Sequence, residues 1–309
     1  MSDPLLEVNE LSISFTHYTK GLRQTRQQVI SNLSLAIHSG EIVAVVGASG
    51  SGKSLLAHAI LGILPENATM SGTITYDGTL LTARRQLDLR GRDIALVPQS
   101  VNFLDPLMRV GAQVRSAVKT GEPAREQQKV FARYRLGDKV AKLFPFQLSG
   151  GMARRTLVST AVVSGARLII ADEPTPGLDP EALRQALGYF KELAASGAAV
   201  MLITHDIGSA LTIADRIAVF YAGTTVEITP AADFAEDGRR LRHPYTQALW
   251  RALPQNEFIP TGGSQPAPGV SGAGCPFAPR CELAIAACRE EQPMLRSLRD
   301  GWVRCDHVS

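Results

Sequence analysis

Residues 5–15, LLEVNELSISF, alternate apolar and polar positions, the period-two pattern of an edge-type strand with one covered face. Residues 41–46, EIVAVV, are apolar almost without a break, as in a strand buried on both faces. A glycine-rich turn follows. Then comes KSLLAHAILGIL, whose apolar positions recur at helical period until Pro65 ends it. SGTITYDG (71–78) carries β-branched alternation between glycines, and DIALVPQ (93–99) reads as another strand. Between 106 and 147 the strand pattern stops. Charged stretches such as PAREQQKVFARYRL predict a small helical insertion there. Beyond it the chain resumes with RLIIADE, a helix around 180–195, AAVMLITHD, a helix around 207–214, and RIAVFYAGTTVEI. Strands alternating with helices predict an α/β fold with a mainly parallel sheet covered on both sides.

Composition narrows the class. A chain of 309 residues suffices for one large domain with an appendage, and an apolar fraction of 45% excludes wholesale disorder. The formal charge of +3 makes no demand for a nucleic-acid partner, so the arginine clusters at 84–92 and 239–242 read as solvated faces. No apolar run reaches the roughly 18 residues a membrane span needs. The N-terminus MSDPLLEVNE has no basic region followed by an apolar core, so the expected compartment is the cytosol. Residues 261–274, TGGSQPAPGVSGAG, read as a flexible tether into a segment that holds all four cysteines.

The sharpest chemistry lies between the buried strand and the first helix. GASGSGKS fits G-x-x-x-x-G-K-S and comprises Gly47, Ala48, Ser49, Gly50, Ser51, Gly52, Lys53 and Ser54. Glycines let such a loop wrap tightly, so that successive backbone N–H groups and a helix N-terminus face phosphate oxygens. Lys53 is placed to reach the β- and γ-phosphates of ATP, and the Ser54 hydroxyl to ligate Mg2+. RLIIADEP supplies two carboxylates at a strand end. Asp172 is expected to hold Mg2+ and Glu173 to polarise the attacking water.

LSGGM, with Ser149, Gly150, Gly151 and Met152, resembles the signature of the ATP-binding subunits of ABC transporters, where glutamine usually stands at the Met152 position. The resemblance covers essentially the whole chain. It implies a P-loop ABC-type nucleotide-binding domain over 1–238, with an antiparallel β subdomain and a helical subdomain at about 104–160. It further implies a head-to-tail dimer in which the signature contacts ATP on the partner's phosphate loop. Gln99 matches the Q-loop glutamine, a Mg2+ and water sensor, and His205 the switch histidine. Asp179 matches the D-loop, and Phe15 the adenine-stacking aromatic.

RHPYTQALWRALP (242–254) resembles the opening of a C-terminal extension found in the oligopeptide, dipeptide and nickel importer branch, here 239–309. Its G-C…P-R-C…C…C pattern is matched by Cys275, Cys281, Cys288 and Cys305, with five, six and sixteen residues between them. Four thiolates suit either structural zinc, which prefers shorter intervals, or an iron–sulfur cluster. Unligated or disulfide-bonded cysteines are the remaining reading. The family association is a [4Fe–4S] cluster. His307 could substitute for a cysteine toward zinc but lies very close to Cys305. Few large apolar residues are left in the tail to build a core, so metal ligation is expected to help fold it.

The resemblance therefore implies an ATPase powering di- or oligopeptide import from the cytoplasmic face of the inner membrane. Its implied partners are a second, paralogous ATPase, two transmembrane permease subunits and an extracytoplasmic solute-binding protein. Alternatives are import of nickel or a metal–chelator complex by the same machinery, and a soluble ABC ATPase outside transport.

Overall fold

The computed structural model describes residues 3–18, 23–235, 237–267, 269 and 272–308; part of the 261–274 tether lies outside the described residues. The strands are β1 (Leu6–Tyr18), β2 (Gln24–Ile37), β3 (Ile42–Gly47), β4 (Ala68–Tyr76), β5 (Thr79–Leu80), β6 (Ile94–Val97), β7 (Leu168–Asp172), β8 (Ala199–Ile203), β9 (Arg216–Tyr221), β10 (Thr224–Pro230), β11 (Arg296–Leu298) and β12 (Gly301–Val303). The helices are α1 (Lys53–Leu61), α2 (Ala83–Leu89), α3 (Val110–Ala117), α4 (Pro123–Arg133), α5 (Gly150–Val163), α6 (Pro180–Ala195), α7 (Ile207–Leu211), α8 (Pro244–Arg251) and α9 (Ala287–Glu290). The chain forms two compact units. One comprises Met1–His38, Val43–Leu81 and Thr204–Ser309, and the other Ser39–Ile42 and Thr82–Ile203.

In the first unit β2, β1, β4 and β5 form an antiparallel sheet in that order. β3 runs parallel to β9, with Gly47 opposite Phe220, and β9 turns back antiparallel into β10. The turn needs Gly223. A Cβ there would stand 2.1 Å from the Val29 carbonyl oxygen, and Ser31 N–H donates to the Gly223 carbonyl across the same approach. The Thr225 hydroxyl donates to the Ser34 carbonyl, tying β10 to the antiparallel sheet.

The C-terminal segment joins this unit by backbone pairing rather than hanging from it. β12 adds antiparallel to β10, with Glu227 opposite Val303, and β11 pairs with β12. Arg304 is buried, and its guanidinium donates to the carbonyls of Thr225, Pro293 and Asn32. Arg280 donates to Gly262 and Thr261, so the start of the tether is anchored. The reading of 239–242 as a solvated face fails at Arg242. That side chain is 3% exposed and pairs with Glu227 at 3.3 Å and Asp233 at 3.4 Å, both buried. Arg240 at the rim pairs with Asp233 at 3.1 Å. A buried guanidinium is tolerable only with such partners.

In the second unit β6, β7 and β8 are parallel neighbours with apolar residues nearly throughout, as expected for strands covered on both faces. The helical insertion is present as α3 and α4, with short 3-10 turns at Asp138–Lys142 and Pro145–Gln147. Leu104, Ala153 and Leu157 form a small core where the insertion meets α5.

Candidate functional site

The phosphate-loop motif lies in the first unit, between β3 and α1. Gly47 is forced by its surroundings. Its φ is 152°, and a Cβ there would come within 2.2 Å of the Phe220 carbonyl oxygen. Gly52 caps α1 at φ 95°, a left-handed conformation that favours glycine. Gly50 also has positive φ, and a Cβ on it would meet nothing within 4 Å, so this side of the loop is open. Lys53 is buried, and its ammonium donates to the carbonyls of Gly47 at 2.8 Å and Ala48 at 2.9 Å. Ser51 is fully buried, and its hydroxyl has no hydrogen-bond partner among the described residues. Ser49 is exposed and Ser54 half-buried. An open cradle, a helix N-terminus and a lysine at its base fit a polyphosphate.

His205 belongs to the same unit. Thr204 N–H donates to the Val45 carbonyl, which sets the exposed His205 level with the end of β3. Asp206 then caps α7 by accepting from Ser209 N–H. Phe15 is half-buried on β1, opposite Gln27 and Ala68, with His17 as its ring neighbour at 6.3 Å.

The second unit holds the remaining ATPase motifs. Asp172 ends β7 and Glu173 follows, both buried. Glu173 adopts φ 47°, a strained conformation for a residue with a side chain. Its N–H donates to the Ile203 carbonyl. Arg154 on α5, not singled out in the sequence, joins the set. One nitrogen of its buried guanidinium donates to the carbonyls of Gln99 (2.7 Å), Pro98 (3.3 Å) and Glu173 (3.3 Å). Burial lowers the Arg154 pKa, and the Glu173 charge works against that shift. The available signal was its place just after LSGGM, on a helix whose buried face has few other uses for a cation. The Gln99 side chain is exposed.

Ser149 caps α5 by accepting from Met152 N–H at 3.3 Å, and Asp179 caps α6 by accepting from Glu181 and Ala182 N–H groups. A Cβ at Gly150 or Gly151 would meet nothing within 4 Å, so packing within this chain does not require glycine at either position.

The four cysteines line one cavity of about 460 Å³ in the first unit, together with His243, Arg304 and His307. All four are free thiols, not disulfides. The backbone explains the Gly-Cys pair: Cys275 N–H donates to the Cys288 carbonyl, and a Cβ on Gly274 would lie 2.5 Å from that oxygen. Burial raises the pKa of Cys275, Cys281 and Cys305, and the neighbouring thiols raise it further. Thiolates here therefore call for a cation among them. Cys288 Sγ lies 3.0 Å from His307 Nε2. Among the described residues no three His, Cys, Asp or Glu side chains are close enough to share a single metal ion.

A family model described as ABC transporter matches residues 30–176, and one described as oligopeptide/dipeptide transporter, C-terminal region, matches 226–288. The dipeptide transport ATP-binding protein DppD of Haemophilus influenzae is 34% identical, over 97% of this chain and 94% of its own length. DppD of Escherichia coli is 33% identical, over 96% and 94%. The oligopeptide transport ATP-binding protein OppD of Mycobacterium tuberculosis is 36% identical over 94% of this chain, which spans 50% of that longer relative. Among solved structures, a dimeric ATP-binding cassette in a post-hydrolysis state, bound to ADP and Pi, is 25% identical. It superposes with a TM-score of 0.64 over 73% of this chain and 98% of its own. The chain belongs to the ABC transporter ATP-binding family, in the branch that carries the oligopeptide/dipeptide transporter C-terminal region.

Proposed function

We propose that the chain is the ATP-hydrolysing subunit of an ABC importer of di- or oligopeptides, acting peripherally at the cytoplasmic face of the membrane. The observation that carries this reading is the joint presence of a complete set of ATPase motifs and the oligopeptide/dipeptide C-terminal region in one chain. Relatives matched over nearly their whole length are named for dipeptide transport, which favours peptides over nickel as cargo. No helix among the described residues is long and apolar enough to cross a membrane.

In this reading Lys53 and the loop N–H groups of Gly47–Ser54 bind the phosphates of ATP. Ser54, Gln99 and Asp172 would hold Mg2+, which would offset the negative charge of the bound phosphates. Glu173 accepts the proton of the attacking water, and His205 steadies the γ-phosphate. Ser149, Gly150, Gly151 and Met152 face the nucleotide of a second, paralogous ATPase, with Asp179 at that seam. The unconstrained glycines of the signature support this role.

The helical insertion receives the permeases. Val101, Leu104, Pro106, Pro145 and Phe146 line a groove there, bordered by exposed Phe103 and Leu107. An extracytoplasmic binding protein supplies cargo. The four-cysteine cavity would take a [4Fe–4S] cluster, a reading supported by four free thiols lining one space.

The test is reconstitution with the permeases and second ATPase in vesicles. Peptide uptake should require ATP and stop with Glu173→Gln, while ATP binding persists; uptake undiminished in that variant overturns the assignment. Anaerobic purification should give brown protein with about four iron and four sulfide per chain. Colourless protein with one zinc overturns the cluster.

A further inference from the structure

Three sequence markers that ATP chemistry does not use meet in one aromatic cluster within the first unit, and one of them reaches the phosphate loop. They are the tyrosine of HPY, the arginine of P-R-C and the first cysteine. Tyr245, on the first turn of α8, is buried, and its hydroxyl oxygen accepts the Ala48 N–H. The Ala48 carbonyl accepts from Lys53, so this second residue of the loop is held through both its N–H and its C=O. Burial pushes the Tyr245 phenol up to about 12, which keeps it a neutral hydroxyl. Its ring lies 4.4 Å from that of Tyr221 and 5.4 Å from that of Phe277. Tyr221 directly follows Phe220, whose carbonyl closes over Gly47.

Phe277 leads on to the cysteines. It is buried, lies two residues after Cys275, and donates its N–H to that thiol. Arg280 closes the cluster. Its guanidinium sits 5.9 Å from the Tyr221 ring and 5.6 Å from the Phe277 ring, and it donates to the Tyr221 hydroxyl at 3.1 Å. A rigid aromatic cluster thus bridges the cysteine cavity and the loop entry.

We propose that Tyr245 is a positioning residue for the phosphate loop, and that Phe277 makes nucleotide affinity depend on the order of the cysteine segment. This rests on the loop being the ATP site. Fixing the Ala48 peptide sets the curvature with which the remaining N–H groups converge. Loosening Phe277 gives the Tyr245 ring room to withdraw its oxygen.

The experiment is equilibrium binding of a fluorescent non-hydrolysable ATP analogue to the full chain, with ATPase kinetics in the assembled complex. Tyr245→Phe should weaken binding by about fivefold, the worth of one hydrogen bond, and raise KM while kcat stays within about twofold. Phe277→Leu should weaken binding in the same direction, and Leu283→Ala, at an exposed position of the same segment, should not. No binding by the unaltered chain would overturn the ATP-site reading itself. Unaltered-chain affinity in Tyr245→Phe overturns the positioning role alone. Unaltered-chain affinity in Phe277→Leu, or equal weakening by Leu283→Ala, overturns the link to the cysteines.

Discussion

Replacing Arg154 by methionine tests whether the ATPase centre is held from behind by a residue that never meets nucleotide. The side chain is 9% exposed, and one nitrogen serves the backbone of Gln99, Pro98 and Glu173. Methionine keeps most of the volume and removes the donor. A hydrogen bond from a charged donor contributes about 1.5–3 kcal/mol. At about 2–4 °C per kcal/mol for a chain of this size, the melting temperature should fall by about 5 °C. The larger consequence is local. Glu173 sits at φ 47°, a conformation that costs about 1–3 kcal/mol and persists only while its surroundings impose it. Releasing its carbonyl lets that strain relax, and under the proposed role of Glu173 the carboxylate would drift from the attacking water. If half to all of the strain energy reappears in the barrier, kcat falls by at least about twofold and at most about 160-fold. Nucleotide affinity should be nearly unchanged, because the loop proposed to bind phosphate is built by β3, α1 and the Phe220 carbonyl without Arg154. The assay is steady-state ATPase activity of the assembled transporter beside equilibrium binding of a nucleotide analogue. A kcat within twofold of the parent, or an affinity loss matching the kcat loss, would refute the reasoning. Arg154→Lys keeps the charge without the planar fork and should fall between the two.

His243 gives a pH signature. Its ring is buried, and burial together with the Arg304 charge lowers its pKa from 6.5 to about 3. The unfolded chain takes up this proton near pH 6.5 and the folded one only near 3, so stability drops as pH falls through that window. The loss between pH 7 and 5 is about 2 kcal/mol. His243→Asn keeps an acceptor for Tyr245 N–H and removes the titration, so melts at the two pH values should show an acid loss smaller by that amount. Equal losses would count against a neutral buried ring. Arg242→Met strands the buried carboxylates of Glu227 and Asp233 and should cost about 3–5 kcal/mol, read by thermal melting. The double variant Glu227→Gln/Arg242→Met should recover part of it, and a single variant as stable as the parent would contradict the buried network.

Much of the ATPase machinery was legible because its chemistry constrains neighbours in sequence. A phosphate cradle needs glycines and a lysine at fixed spacing between one strand and one helix, and Gly47–Ser54 stands there. Ser149 and Asp179 were legible as signature and D-loop positions, and in the structure each also caps a helix. β2 was missed. QTRQQVISNLSLAI is polar over its first half, which β1 holds by backbone pairing and two exposed side-chain hydrogen bonds, so no apolar periodicity marks it. The tail was legible in identity but not in architecture. A tether and a metal-dependent fold were expected. What the pattern did not show is that β12 pairs with β10 and that Arg304 bonds the carbonyl of Asn32, 272 residues away in sequence.

The sequence alone determined where the phosphate-loop, strand-end acidic and signature motifs stand, and which transporter branch the chain belongs to. Tertiary structure decided what those groups lean on. Arg154 under Glu173, Arg242 between two carboxylates, and Tyr245 against Ala48 each pair a buried polar group with one distant along the chain. A local pattern records spacing along the chain. The need to satisfy a buried donor or charge is met by whatever backbone or side chain the fold brings near, and that partner leaves no mark in the spacing.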